Sequence, residues 1–290
     1  MTQEKNLLPH RTRLLALDTS SKSGALVALE WEPGTQAGFS AVRLVSEWAL
    51  SVDASFHSEK LLWGVHQMLE ACGWKISDVD VFGVGVGPGS FTGLRIGMTT
   101  ARTLAKTLGK PLIGVSSLAA LARPVAHAIV KTGEKAVVIA STDACKGELY
   151  ALFGLEKPVS ECVSFSQGDL PGLWKRGVVE CVIEPEDLLA KVQKKLSTSK
   201  SMRWVSVGEG LSRYPEISRK LPRSRELKFG LPFSDSVQGR YLGALAWEAY
   251  QAGLARDPLL VHPRYLRVSD AEMKLQAGLL PPGPTRSGTA

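Results

Sequence analysis

Cysteine is scarce in this 290-residue chain and badly placed for chemistry: Cys72, Cys145, Cys162 and Cys181 lie far apart and form no CxxC pair. A zinc site or a disulfide framework is therefore not expected, and the reduced thiols of a cytoplasmic protein are. Histidine is equally thin. His10, His57, His66, His127 and His262 never stand four apart, the spacing that sets two imidazoles on one helix face around one ion. Aromatic residues make up 7% and follow no RNP-like motif, which speaks against an RNA-reading sheet. No apolar run approaches the roughly 20 residues of a membrane-spanning helix. The first apolar run, residues 14–17, is too short for a secretory signal and ends at Asp18.

What is present is ordinary globular composition, 44% hydrophobic and 22% charged, in a length suited to one large domain or two lobes. A net charge of +7 would suit a phosphate-bearing partner. That charge looks scattered, partly over residues 191–203 and 213–228, so solubilising surface charge is the preferred reading.

Strand and helix patterns alternate along the chain. Residues 13–18 and 24–30 read as strands joined by the turn DTSSKSG, 41–50 as a third strand, and 58–73 as an amphipathic helix. Strand 79–86, the loop GVGPGSFTGLRIG and helix 93–108 follow. The second half repeats the order: a strand at 136–142 ending on Asp143, a second at 146–154, a third at 161–165, a helix at 185–195, a strand at 202–207 and the turn Gly208-Glu209-Gly210. A duplicated βββαβα unit implies two mixed α/β lobes facing each other. Such a pair, each with an aspartate hairpin and a glycine turn, is the layout that surrounds a polyphosphate in the actin, sugar-kinase and Hsp70 superfamily. The expected division is 11–118 plus about 254–276 for the first lobe, 119–253 for the second, with flexible tails at 1–10 and 277–290.

The glycine loop raises two readings. Strand, glycine turn and helix can hold a phosphate on the helix N-terminus, through Asp18, Thr19, Ser20, Gly87, Gly89, Ser90, Thr92, Gly93 and Arg95, with Asp143, Gly208 and Gly210 from the second lobe. Yet GxxxxGK[ST] spacing is missing, so no lysine reaches the phosphates. Phe91 is expected to pack, Ser90 or Thr92 to cap the helix, and Arg95, the wrong sign for a first helical turn, to have a carboxylate partner in this chain or another. A scaffold loop is favoured over a nucleotide site. Asp18 reads equally as a turn residue bonding its own backbone or as a remnant phosphate or metal ligand.

LLALDTS, GVGPGSFTGLRIGMTTARTLAKTLGKPLIGVSSLAALA, DACKGELYALF and PRYLR together resemble the bacterial TsaB (YeaZ) family, from about Arg13 to Arg267. The resemblance implies a non-catalytic subunit that pairs with a catalytic paralogue, TsaD, and works with the small ATPase TsaE in placing a threonylcarbamoyl group on the adenosine next to the anticodon of tRNA. It implies that the complex, not this subunit alone, uses ATP and magnesium, that tRNA is met through the complex, and that the subunit alone forms a homodimer. No membrane association is expected. Where the paralogue carries HHMEGHL, this chain has SSLAALA; Ser117 and Leu121 fill the two metal-ligand positions and neither replaces a histidine. On that reading Ser117→Ala has little effect.

The family's partner surface is a helix pair, here 58–73 and 93–108, with Leu62, Val65, Leu69, Gly97, Thr100, Ala101 and Leu104 as the expected contacts. Substituting Leu104 or Gly97 should then abolish pairing and spare the fold. The chain departs from the family pattern in its Gly208-Glu209-Gly210 turn, usually Gly-Asp-Gly, and in Cys145, where arginine is usual. Extra length falls around 31–40, within 156–233 and at the C-terminus. The competing functions are an autonomous ATP-dependent kinase or transferase using Asp18 and Asp143 around magnesium, and, less favoured, a metallopeptidase.

Overall fold

A computed structural model describes residues 11–32, 42–51, 58–153, 179–228 and 235–267. The first sheet holds β1 (Thr12–Asp18), β2 (Ser23–Trp31), β3 (Val42–Ser51), β4 (Val81–Gly87) and β5 (Leu112–Ser116), in the order β3-β2-β1-β4-β5. β1 pairs antiparallel with β2, from Thr12 opposite Trp31 to Asp18 opposite Ala25, and parallel with β4. The second sheet runs β8-β7-β6-β9, built from β6 (Ala136–Cys145), β7 (Glu148–Phe153), β8 (Val179–Ile183) and β9 (Arg203–Val207). Here too the first strand pairs antiparallel with its hairpin partner and parallel with the last strand. The common order third-second-first-fourth is the duplication made visible.

Alternation along the strands decides how the layers stack. Leu15, Leu17, Leu26 and Ala28 face α1 (Ser58–Cys72) and α2 (Phe91–Thr107), where Leu61, Val65, Met68, Met98 and Ala101 complete one core. Leu14, Ala16, Val27 and Leu29 face the opposite way, onto α3 (Ser117–Thr132) and α6 (Gly239–Gln251), which also meet Val138, Ala140 and Val205 of the second sheet. Beyond that sheet, Leu188, Val192 and Leu196 of α4 (Pro185–Ser197) and Ile217 of α5 (Pro215–Ser218) close a third core. The order is helix pair, sheet, helix pair, sheet, helix. Strands covered on both faces read as near-continuous apolar runs, and β4 is buried throughout.

Three elements depart from the sequence reading. The third strand of the second sheet is Val179–Ile183, whereas the stretch expected to supply it, 161–165, lies outside the described residues. α6, assigned from sequence to the second lobe, lies on the first sheet, with Leu242, Leu245, Ala246 and Trp247 in the core it shares with β1 and β2. Apolar spacing reveals a helix face but not which of two sheets it covers. The closing helix of the second unit is reduced to a 3-10 turn, Leu211–Arg213, and the single turn α5. Both expected tails lie outside the described residues, as does 268–276.

One ionic cluster sits where β2 leaves the first sheet. Glu30, almost wholly buried, meets Arg11, Arg13 and Arg43. Burial pushes its carboxyl up, but hydrogen bonds from Arg43 and Arg13 and the charge of Arg11 outweigh that and hold it below the usual carboxylate range. Cys72, Cys145 and Cys181 are free thiols. No described helix is long and apolar enough to cross a membrane.

Candidate functional site

The glycine loop is filled by its own chain. Ser90 N–H donates to the Ser20 carbonyl at 2.7 Å, and Ser90 Oγ caps α2 by accepting from Gly93 N–H at 3.3 Å. The cap is therefore Ser90, while Thr92 lies exposed one residue inside the helix. Thr19 Oγ1 donates to the Gly93 carbonyl at 2.7 Å. A Cβ on Gly89 would stand 2.3 Å from the Ser20 carbonyl oxygen, on Gly93 2.0 Å from that of Thr19, and on Gly97 2.3 Å from Thr19 Oγ1. The glycines are there because the β1–β2 turn lies directly against the start of α2.

Asp18 is wholly buried and fully engaged. Its Oδ1 accepts from Ser20 N–H at 2.9 Å and Ser20 Oγ at 2.6 Å, the turn reading of this residue. Its Oδ2 accepts from Ser117 Oγ at 2.5 Å, and that hydroxyl in turn accepts from Gly87 N–H at 3.2 Å. Ser117 thus joins the first turn, the glycine loop and the head of α3. It is not the inert position the sequence comparison with the paralogue implied. Leu121, the second ligand position, is buried in the central core.

The second lobe repeats the device with different residues. Gly210 N–H donates to the Ser141 carbonyl at 2.9 Å and Leu211 N–H to Ser141 Oγ at 3.0 Å. A Cβ on Gly208 would meet the Ser141 carbonyl oxygen at 2.1 Å. Asp143 accepts from Cys145 N–H at 2.9 Å and from Arg213 Nη1 at 2.6 Å. Arg213, which also meets Glu209, supplies at this turn the positive charge that Cys145 does not. Its guanidinium is held still more firmly in the charged form by Asp143 and Glu209.

Between the lobes, Ser20, Pro88, Ser117, Leu121, Thr142 and Asp235 line a cleft of about 10 Å³, room for one water molecule. A nucleotide needs several hundred Å³. In this arrangement both Asp18 carboxylate oxygens are engaged within the chain, while Thr142 Oγ1, buried in the cleft wall, has no partner among the described residues.

A stretch near the end of the described residues ties β4 to β8. Arg264 N–H donates to the Val86 carbonyl at 2.8 Å, and its guanidinium pairs with Glu180 on β8. Glu180 also accepts from Ser116 Oγ at 2.7 Å, so it links the edge of the second sheet to the end of β5. Burial pushes the Glu180 carboxyl up, against the opposing pull of Ser116 and Arg264. Tyr265 packs on Phe91 with ring centroids 4.9 Å apart, and the Arg95 guanidinium carbon lies 3.9 Å from the centroid of the Phe91 ring. Phe91 packs, as expected, and among the described residues the partner of Arg95 is that ring.

The expected partner face divides in two. Leu62 is exposed and Leu104 half-buried, on the outside of the α1–α2 layer. Val65, Leu69, Gly97, Thr100 and Ala101 are buried in the chain's own fold and do not form a surface. Gly97 serves Thr19, not a second molecule. The outward residue missed in the sequence is Trp63, 64% exposed beside Leu62 at 44%. Helical spacing from the buried Leu61, Val65 and Met68 places both outside that face, which was the available signal.

Comparison with known proteins agrees with this geometry. The family model TsaD, tRNA N6-adenosine threonylcarbamoyltransferase, matches residues 51–163. A curated relative from Escherichia coli (strain K12), tRNA threonylcarbamoyladenosine biosynthesis protein TsaB, is 31% identical over 214 residues, 72% of this chain and 76% of that protein. The protein of the same description from Haemophilus influenzae is 28% identical over 255 residues, 88% of this chain and 93% of that one. Among solved structures, YeaZ from Pseudomonas aeruginosa matches 88% of this chain and 100% of its own, at 26% identity and a TM-score of 0.58. Two sheets of one strand order, each with a glycine turn seated on its own first strand, and likeness along nearly the whole described length lead to one assignment: the chain belongs to the TsaB (YeaZ) family and has the two-lobed actin/sugar-kinase/Hsp70-like fold.

Proposed function

We propose that this protein acts in tRNA threonylcarbamoyladenosine biosynthesis as a non-catalytic subunit that pairs with a TsaD-type transferase through the outer face of α1 and α2. The observation that carries this reading is the closed site. Where the resemblance puts two metal-binding histidines in the paralogue, Ser117 is spent on Asp18 and Gly87, and Leu121 is core. The names of the relatives support the pathway. The exposed Leu62 and Trp63 of α1, with the half-buried Ile96 and Leu104 on the neighbouring α2, support the surface. An exposed tryptophan beside a leucine is a typical anchor of a protein interface. A helix pair that resembles its partner's can meet it about a near-twofold axis, and for the same reason can pair with itself. ATP and magnesium then serve the complex, with a TsaE-type ATPase and tRNA as its other components, in the cytoplasm.

The test is reconstitution of threonylcarbamoyl transfer to tRNA with purified components. The expected result is no transfer by this protein alone and strict dependence on it when the transferase and ATPase are present. Transfer by this protein alone would overturn the reading.

A further inference from the structure

Charge that looks scattered along the sequence is gathered by the fold. From Lys191 to Lys228 the chain has eleven Lys and Arg against three Glu, an excess of eight where the whole chain's excess is seven. All other residues together therefore carry a slight negative balance. Arg213 turns to Asp143 and Glu209 at the cleft, but the other cations belong to three segments tied together on the outer side of the second sheet.

Along α4, Lys191, Lys194 and Lys195 stand at i, i+3 and i+4, clear of the buried face made by Leu188, Val192 and Leu196. Gln193 Nε2 donates to the Lys220 carbonyl at 3.4 Å, and Arg225 Nη1 to the Leu196 carbonyl at 2.9 Å. Arg203 Nε donates to the Arg225 carbonyl at 3.2 Å, and Trp204 Nε1 to that of Pro222 at 3.0 Å. These bonds draw the end of α4, the turn with Lys200 and the stretch 219–228 into one end of the lobe. Arg203 and Arg225 bond backbone carbonyls, which leave their positive charge unneutralised. Lys194, Lys200, Arg219, Lys220 and Arg223 are exposed and form no ion pair with any described residue. The dipole at the end of α4 accounts for Lys194 and Lys195, but not for Arg219, Lys220 and Arg223 on a separate segment.

We infer that this face binds the phosphate backbone of a folded RNA. A surface of many cations with few carboxylates gains its affinity by releasing counterions from a polyanion. Trp204 is buried and Tyr214 half-buried, so of the two aromatics in the stretch 191–228 that carries these cations only Tyr214 is offered, in part, for base stacking, and contact is through charge without sequence reading. α4 lies outside the second sheet and α1–α2 outside the first, at opposite ends of the layer stack. An RNA on one face and a protein on the other can be held together. That the RNA is tRNA rests on the function proposed above.

The experiment uses fluorescence anisotropy of a labelled, unmodified tRNA transcript titrated with the full chain at several salt concentrations. The variant Lys194→Gln/Lys220→Gln/Arg223→Gln removes three cations from this face; Lys75→Gln/Lys131→Gln/Lys135→Gln removes three exposed cations elsewhere. The first should lower affinity about tenfold or more at low salt and reduce the slope of log K against log salt by about 2–3. The second should stay within about twofold of wild type. Absence of tRNA binding by the wild type at low salt, or equal losses in both variants, overturns the inference. So does binding of phosphatidylserine vesicles that the first variant abolishes while its tRNA binding persists. Pairing with the transferase, read separately by sedimentation, should survive in both variants; lost pairing in the wild type with retained tRNA binding would sink the earlier reading alone.

Discussion

Replacing Ser117 by alanine deletes one oxygen and tests how the site is held together. In the folded chain that oxygen donates to Asp18 Oδ2 at 2.5 Å and accepts from Gly87 N–H at 3.2 Å, with both partners buried. A hydrogen bond to a charged group contributes about 1.5–3 kcal/mol, and a buried N–H left unpaired costs about 1–3 kcal/mol more. The cleft beside Ser117 has room for one water, which can replace part of the loss. The expected destabilisation is therefore about 2–4 kcal/mol. For a chain of this size that lowers the melting temperature by roughly 5–10 °C. Circular dichroism melts of Ser117→Ala, Asp18→Ala and the double variant provide a cycle with an expected coupling of about 1.5 kcal/mol or more. Well below its melting temperature the alanine variant should still support tRNA modification. A melting temperature equal to wild type, with zero coupling, would refute the reasoning; an unchanged melt with lost modification would put Ser117 in the chemistry.

Trp63→Glu should weaken pairing by about tenfold or more in sedimentation assays while shifting stability by less than about 0.5 kcal/mol, because the ring is exposed. Gly97→Val should instead lower stability, since its Cβ meets Thr19 Oγ1 at 2.3 Å; a folded, unpaired Gly97 variant would contradict this assignment. Arg264→Gln leaves Glu180, with a side chain 8% exposed, short of its cation. A loss of about 2 kcal/mol at neutral pH is expected, discounted because Arg264 is itself partly in water. Since the Glu180 carboxyl is already raised by burial, that loss should shrink as pH falls through its folded pKa and the carboxyl takes a proton; a pH-independent deficit would be the contrary result. Glu30 works with the opposite sign. Its folded pKa lies below the unfolded value of about 4.3, so its contribution is complete above that pH and is lost as pH falls through the folded value. Melts from pH 7 to 3 should therefore show Glu30→Gln and wild type converging at the acid end.

Much of this fold can be read from period and punctuation. β1, β2, β4 and α2 follow the sequence reading because their apolar spacing is strong; a polar turn ends β1, and glycines end β4 and α2. Val179–Ile183 supplies a strand the sequence reading does not name, because strand pairing is not a local property; the expected 161–165 lies outside the described residues. Nor does apolar spacing say that α6 covers the first sheet. At the candidate site, the residue types were legible but their partners were not. Asp18 and Ser117 are ninety-nine positions apart, and the parallel pairings of β1 with β4 and of β4 with β5 bring them together. The small residues of α2 suggested a surface for another helix; they are small because the β1–β2 turn occupies that side. Conversely, the excess of cations over residues 191–228 can be counted in the sequence, but the bonds that draw its segments together, from Arg225 and Arg203 to backbone carbonyls, have no sequence signature.

The position of α6 bears on how the chain is made. The first sheet is complete once Ser116 has left the ribosome, but one of its two faces waits for Leu242, Leu245 and Trp247, more than a hundred residues later. The second lobe is synthesised entirely within that interval. Translation thus delivers a half-covered sheet whose apolar face must be shielded by α3, or by a chaperone, until α6 arrives. A nascent chain halted before residue 239 should expose that face, and release past residue 251 should hide it in a single late step.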